Sequence, residues 1–523
     1  MKVAAIDIGT NSIHLLIGEI APDGRITVIE RAREQVELGA GEFGAAERSG
    51  APSAPHRITP EAFQRGVDAL RRMRLALDGV GVEDIHATAT SAVREAENGQ
   101  AFCSAVKAAT GIHVRVISGL DEARLVYLGT RSDIDFSRGR ALVFDLGGGS
   151  TEFVLCDPEQ ALVTESVPLG HIRLAERFVR TDPIAESDRR DLKSHVAQLL
   201  QPLSSRVRPA DFATLYGCSG TVRALARAAT VRRGAEMPRH ASGLLLHKSE
   251  IDDMLRIMRS KPGAQWDLPG IEDRRKRTLL AGATLIREIF RATGKEVLVT
   301  TERSLRDGLI ADWILRHRPE LKLSASVPDP RRRSVIGAME HYGADMVHAR
   351  RVADTALRLF DATAPIHRRS VDDRRLLEFS ALLHDIGHFI SGDDHHRHTQ
   401  YLVRNTKMSG FTSPEVEIMA AVGRYHRGSR PKATHEEFKA FTNAEKEIVR
   451  LLSALVRVAD ALDRGHDGNV VRLDIELGTG LNLRAYTRDT GDLEHWSAVQ
   501  RADWLAEVLG RPVSVTVERA ALP

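Results

Sequence analysis

The sequence predicts an α/β protein: two similar α/β lobes opening on one cleft, followed by an all-α domain and a small α+β module. Three observations predict it. The first is an internal repeat. Val3-Ala4-Ala5-Ile6-Asp7-Ile8-Gly9-Thr10-Asn11-Ser12 recurs 138 positions later as Ala141-Leu142-Val143-Phe144-Asp145-Leu146-Gly147-Gly148-Gly149-Ser150. Asp7 matches Asp145, Gly9 matches Gly147 and Ser12 matches Ser150, and repetition of one supersecondary unit points to duplicated lobes. The second is a set of glycine turns, each placed directly after an apolar, strand-like run. The third is histidine: 11 of the 21 fall between His341 and His466, where uniform scatter would give roughly five. The second half therefore has a chemistry of its own. The expected boundaries are 1–133 for lobe I, 134–317 for lobe II, 318–333 for a linker, 334–468 for the helical domain and 469–523 for the closing module.

The elements follow from local signals. Val3 to Asp7 and Ile13 to Ile20 are apolar strand runs, and Pro22-Asp23-Gly24 signals a hairpin before the alternating Arg25 to Glu30. Thr59 can cap a helix whose first position suits Pro60, and Phe63, Val67, Leu70, Met73 and Leu77 keep the helical spacing. Ile85 to Thr90 and Val114 to Ile117 read as strands followed by helices. The proline-bearing, polar stretch from Arg318 to Arg333 reads as linker. Ser334 to about Leu462 is helical in spacing, and Val470 to Leu483 and Val513 to Val517 alternate like strands.

Composition bounds the class. The chain has 523 residues, roughly three or four domains, with 42% hydrophobic and 28% charged residues. That is the balance of a core-forming protein, not a disordered or collagen-like one. No run of ~18 uncharged apolar residues predicts a membrane span, and the N-terminus reaches Asp7 too soon for a signal peptide. Cys103, Cys156 and Cys218 lie far apart, which argues against a disulfide framework and fits a reducing cytoplasm. A net charge of +3 is too weak to indicate a specific nucleic acid partner.

The turns carry the first constellation. Phosphate needs closely approaching backbone N–H groups, which glycine permits. Gly9-Thr10-Asn11-Ser12, Gly147-Gly148-Gly149-Ser150-Thr151 and Gly217-Cys218-Ser219-Gly220-Thr221 are such loops, the last opening a helix whose N-terminus adds positive dipole character. Asp7 and Asp145 end the strands inside them. Carboxylates there can hold Mg²⁺ through one or two oxygens plus waters and phosphates, or can serve the loop amides; their duplication at the cleft mouth favours the first. Ser118 with Asp121 resembles a capping box. Glu122, one step on, reads equally as a helix-start acid suited to the dipole and as a functional group.

Together, Ala5 to Ser12, Ile117-Ser118-Gly119-Leu120-Asp121-Glu122-Ala123-Arg124, Phe144 to Glu152 and Gly217 to Thr221 resemble the exopolyphosphatase/guanosine pentaphosphate phosphatase (Ppx/GppA) family. The resemblance implies a duplicated actin-like, ribonuclease H-like core in residues 1 to 315, then an HD-like helical domain and a short C-terminal module. It implies Glu122 as the catalytic base for water, Asp145 as the metal- or phosphate-centre acid, and glycine loops holding the terminal phosphates, with Arg94 near the phosphate path. Mg²⁺ or Mn²⁺ is the implied cofactor and a homodimer the implied assembly. One departure is the Leu120-Asp121 pair, where relatives carry a more acidic or polar run.

The histidine-rich region carries the second constellation. His348, the adjacent His384 and Asp385, and Asp460 fall on separate helical runs, in an order that resembles the HD metal-dependent phosphohydrolases. Their imidazole and carboxylate ligands suit a divalent ion such as Mn²⁺, Fe²⁺ or Mg²⁺. His398 and His426 stand where a second ion takes its ligands, with His395 the weaker candidate. Arg71-Arg72, Arg274-Arg275-Lys276-Arg277 and Arg331-Arg332-Arg333 read first as solvated faces or linker, with a basic track for a polyanion such as polyphosphate as the alternative that some of them could supply. The expected activity is release of terminal orthophosphate from polyphosphate. Its rivals are removal of the 5′ γ-phosphate of guanosine pentaphosphate, hydrolysis by the HD-like domain, and a non-catalytic polyphosphate or nucleotide sensor.

Overall fold

The computed structural model describes residues 1–21, 26–41, 56–207, 212–317 and 329–520. The chain divides into two units, Met1–Pro330 and Arg331–Pro523.

In the first unit the repeat in sequence is a repeat in topology. Strands β1 (Lys2–Ile8), β2 (Ser12–Ile20), β3 (Ile26–Gln35), β4 (Asp84–Ala89) and β5 (Val114–Val116) form one sheet in the order β3-β2-β1-β4-β5. Strands β6 (Ala141–Leu146), β7 (Thr151–Cys156), β8 (Ala161–Val167), β9 (Thr214–Cys218), β10 (Leu245–His247) and β11 (Val297–Thr300) form a second in the order β10-β11-β9-β6-β7-β8. In each sheet the first strand pairs antiparallel with the next strand and parallel with the fourth: β1 with β2 and β4, β6 with β7 and β9. The unbroken apolar runs of β1 and β6 have this cause. Val3, Ala4, Ala5 and Ile6, like Ala141 to Phe144, are wholly buried, as strands covered on both faces must be.

Local signals place the helices. Thr59 Oγ1 accepts the Ala62 N–H at 3.3 Å, Pro60 opens the helix Pro60–Val80, and Gly81 ends it in the left-handed conformation at φ 70°. Ser118 caps Gly119–Thr130 in the same way, accepting the Asp121 N–H at 3.1 Å.

Four boundaries differ from expectation. The Pro22-Asp23-Gly24 hairpin lies outside the described residues, and β3 runs on to Gln35. Helix Leu305–His317, expected within lobe II, lies against the lobe I helix Gly119–Thr130. A Cβ on Gly308 would meet the Leu125 carbonyl oxygen and one on Gly129 the Ser304 carbonyl oxygen at 2.3 Å, so the two backbones touch because both positions lack a side chain. Of the expected linker 318–333, residues 318–328 lie outside the described residues, and Pro330 already opens helix Pro330–His341. Finally, the region 469–523 is not a separate body.

The second unit has its own core. Helices Met346–His367, Val371–Leu383, Ser413–Tyr425 and Asn443–Ala461 contribute to it together with β12 (Val470–Leu477), β13 (Leu481–Thr487) and β14 (Val513–Arg519). Leu473, Leu483, Leu505 and Val515 join the same apolar cluster as Val352, Leu377 and Val456. That shared burial makes the helices and the closing sheet one unit. Among the described residues no helix is long and apolar enough to cross a membrane.

Candidate active site

The two glycine turns meet. The Gly9 N–H donates to the Ser12 carbonyl at 3.1 Å, and the Gly147 N–H donates to the Ser150 carbonyl at 2.9 Å, so each turn closes on itself through the same pair of atoms. Across the lobes, a Cβ on Gly148 would lie 2.9 Å from Thr10 Cβ, and one on Gly149 would lie 2.4 Å from Ser91 Oγ. The turns bound one cleft of about 280 Å³, which Asp7, Asp145, Glu122 and Ser219 to Thr221 also line. Ser219 adopts φ 110°, a strained value for a residue with a side chain, and its hydroxyl caps helix Gly220–Arg232 by accepting the Val222 N–H at 3.2 Å.

Acids make the floor of the cleft. Asp7 stands opposite His14 in the β1–β2 register, and Asp145 opposite Glu152 in the β6–β7 register. Burial, with repulsion from Asp145, pushes the Asp7 carboxyl up to about 7, and Arg306 opposes this. Burial pushes Asp145 up to about 6 against Arg223 and Arg306. Glu152 Oε1 accepts from Ser166 Oγ at 2.9 Å, and burial lifts its carboxyl to about 8. Glu122 is buried. Its carboxyl is held well above the usual range by burial first and then by Glu152 and Asp7, with Arg94 opposing. Arg94 Nη1 donates to Glu122 Oε2 at 3.2 Å and to the Ile117 carbonyl at 2.9 Å.

Arginines face these acids. Arg33 donates to Ser12 Oγ from Nε at 3.2 Å and from Nη2 at 3.0 Å. Arg306 Nη1 lies 2.9 Å from His14 Nδ1, which must accept; burial and the arginines hold His14 down at about 3. Arg223, Arg275 and Arg277 also line the cleft. Crowded carboxylates beside fixed guanidinium groups suit a ligand that is itself polyanionic and brings a cation. The donor set fits a hard divalent ion: Asp7 and Asp145 supply oxygen, and the burial that raises both carboxyls is the kind of penalty a nearby cation offsets.

Residues 16–317 match the Ppx/GppA phosphatase family, and residues 331–508 match its domain III. The chain belongs to the Ppx/GppA phosphatase family. A guanosine-5'-triphosphate,3'-diphosphate pyrophosphatase of Pseudoalteromonas translucida (strain TAC 125) is 27% identical over 456 residues, covering 87% of this chain and 86% of that protein. One of the same name from Aeromonas hydrophila subsp. hydrophila is 27% identical over 484 residues, covering 90% of each. Among solved structures, an exopolyphosphatase from Cytophaga hutchinsonii has 27% identity and a TM-score of 0.54, covering 60% of this chain and 97% of that one. A Ppx/GppA family member from Aquifex aeolicus has 26% identity and a TM-score of 0.50, covering 61% and 99%. The first unit is thus the actin-like phosphatase core of the Ppx/GppA family.

In this family member the cleft gathers Asp7, Gly9, Thr10, Asn11, Ser12, Glu122, Asp145, Gly147, Gly148, Gly149, Ser150, Ser219, Gly220 and Thr221. Two expected phosphate contacts do not face it. Thr151 is wholly buried, and its hydroxyl donates to the Leu169 carbonyl, because Thr151 already belongs to β7 and points into the sheet. Arg94 is engaged with Glu122 instead of lining the cleft. Sequence reasoning missed Glu152, although the 138-residue offset that pairs Asp7 with Asp145 also pairs His14 with Glu152. It ranked a solvated face above a basic track for Arg275 and Arg277, and helix Asp273–Thr293 carries both to the cleft. Arg331, read as linker, is buried and donates to Glu415 at 2.8 Å.

The second constellation assembles in the second unit. His348, His384, Asp385 and Asp460 present ligand atoms within 4.8 Å of one another, and His426 joins them at Asp385. His398 does not. His395 takes that place, with Nε2 3.3 Å from Asp385 Oδ1. His398 lies three residues on in helix His395–Asn405, roughly 4.5 Å further along the axis and about 60° away around it.

Proposed function

We propose that this chain is an exopolyphosphatase that releases terminal orthophosphate from inorganic polyphosphate. The observation that carries the reading is Glu122. It is a buried carboxylate at the start of a helix, bonded by Arg94, in the same cleft as both glycine turns. The turns and arginines bind the terminal phosphates. Glu122 takes a proton from water as the water oxygen attacks the terminal phosphorus in line. The bridging P–O bond breaks, and the shortened chain leaves as an anion facing Arg306 and Arg223. Asp7 and Asp145 would hold a divalent cation such as Mg²⁺, which supplies charge neutralisation to the phosphate oxygens.

A second reading shares the site and the bond chemistry: removal of the 5′ γ-phosphate of guanosine pentaphosphate. It is favoured by the pyrophosphatase relatives that match nearly the whole chain. Measuring phosphate release from polyphosphate and from guanosine pentaphosphate under identical conditions separates the two. In either case Glu122→Gln, which keeps the shape and removes the base, is expected to lower turnover about 10²- to 10⁴-fold. Unchanged turnover would remove Glu122 from the mechanism.

A further inference from the structure

The glycine turn of lobe II is pinned from behind. The His171 N–H donates to the Gly147 carbonyl at 3.1 Å, the Ile172 N–H to the Gly148 carbonyl at 3.0 Å and the Arg173 N–H to that same carbonyl at 3.2 Å. These donors open the helix His171–Phe178. Arg173 Nε takes the next carbonyl, that of Gly149, at 2.8 Å. Every carbonyl of Gly147-Gly148-Gly149 is thus held on the side of that helix. In a trans peptide the N–H points opposite to the carbonyl, so the N–H groups of Gly148, Gly149 and Ser150 turn the other way. None of the three has an acceptor among the described residues, and the turn lines the cleft. They are the donors left for a phosphate.

Arg173 also crosses between the lobes. Its Nη2 donates to Glu95 Oε2 at 2.6 Å, and Glu95 Oε1 accepts from Ser91 Oγ at 2.7 Å. Glu95 ends the short lobe I helix Ser91–Glu95. Burial opposes the Glu95 charge, but Arg173, Ser91 and Arg94 together hold the carboxyl below its usual range. Arg173 is buried, and neither it nor Glu95 lines the cleft. The residue before Glu95 is Arg94, whose Nη1 donates to Glu122 Oε2. One short helix therefore holds the lobe II turn through one side chain and Glu122 through the next.

We propose that Arg173 is a positioning residue of the phosphatase reaction: its guanidinium, bridging the Gly149 carbonyl and Glu95, fixes the turn that presents N–H groups to the substrate phosphate and ties that turn to the helix that orients Glu122. A planar guanidinium can donate in two directions at once, which a single ammonium at this position cannot reproduce. Losing the bridge frees the Gly149 carbonyl to swing toward an anionic substrate and uncouples the phosphate from the attacking water. The inference rests on the cleft being the phosphatase site, and it holds for polyphosphate and guanosine pentaphosphate alike.

The test uses the full chain and phosphate release from tripolyphosphate and from guanosine pentaphosphate. Arg173→Gln and Arg173→Lys are both expected to lose about 10²-fold in kcat/KM, and Arg173→Gln combined with Glu95→Gln to lose no more than Arg173→Gln alone, since both act through one bridge. In Arg173→Gly, millimolar methylguanidinium is expected to restore about tenfold, and methylammonium nothing. A Lys variant near the wild-type rate, losses that multiply in the double variant, or equal effects of the two amines would overturn the proposal. A rate untouched by Glu122→Gln removes the phosphatase site and the proposal with it; a Glu122-dependent rate untouched by Arg173→Gln overturns the proposal alone. Thermal melts check that each variant is folded. Should the Arg173 variants not fold, Glu95→Gln decides: a lower kcat/KM with an unchanged melt supports the bridge, and an unchanged kcat/KM excludes it.

Discussion

The base role proposed for Glu122 requires an ionised carboxylate, and its neighbours oppose ionisation. Glu152 adds like charge to a carboxyl that burial already disfavours. Removing that charge eases ionisation, so the acid limb of the kcat/KM profile for phosphate release is expected to move to lower pH in Glu152→Gln. A limb that stays fixed or moves up would show that Glu152 does not act on Glu122. At this scale the sequence was partly legible. Asp7 and Asp145 declared themselves by repetition, and Glu122 by its motif. Glu152 did not, because the same repeat offers a histidine at the matching position, His14, so position was duplicated while chemistry was not. Arg223 and Arg306 were illegible for a different reason. An isolated arginine on a helix is ordinarily solvated, and only the packing of the helices places these two against the aspartates.

Between elements, the contact of the two turns is the sensitive point. A methyl at Gly148 would stand 2.9 Å from Thr10 Cβ and 3.2 Å from Ile172 Cδ1, so Gly148→Ala must push the lobes' turns apart. A misplacement near 1 Å costs about 10²-fold, and a loss of that order in kcat/KM is expected for Gly148→Ala. Pairing it with Thr10→Gly, which removes the opposing Cβ, should restore part of the rate; no restoration would place the damage elsewhere. Strands and caps were legible here because they are local: Thr59, Pro60 and Ser118 each act on their own helix. The choice between His395 and His398 was not, since both lie on one short helix and only the position of Asp385, supplied by another part of the chain, distinguishes them.

For the molecule as a whole, the two units bury separate cores, and solved relatives are matched almost end to end by about 60% of this chain. A fragment of residues 1–329 is therefore expected to fold alone, with a cooperative melt and Glu122-dependent phosphate release from a short polyphosphate; aggregation or a non-cooperative melt would refute this. Duplication and the switch to histidine-rich helices were legible at this scale. The shared core that joins 469–523 to the preceding helices was not, because alternating strands reveal a buried face without naming what covers it. One feature reaches into the order of synthesis. Helix Leu305–His317 seats its backbone against the helix of Glu122 and begins beside Arg306, which faces the aspartates of the cleft. A growing chain on the ribosome thus makes Glu122, the glycine turns and both aspartates first, and the cleft is complete only when this late segment has emerged and docked.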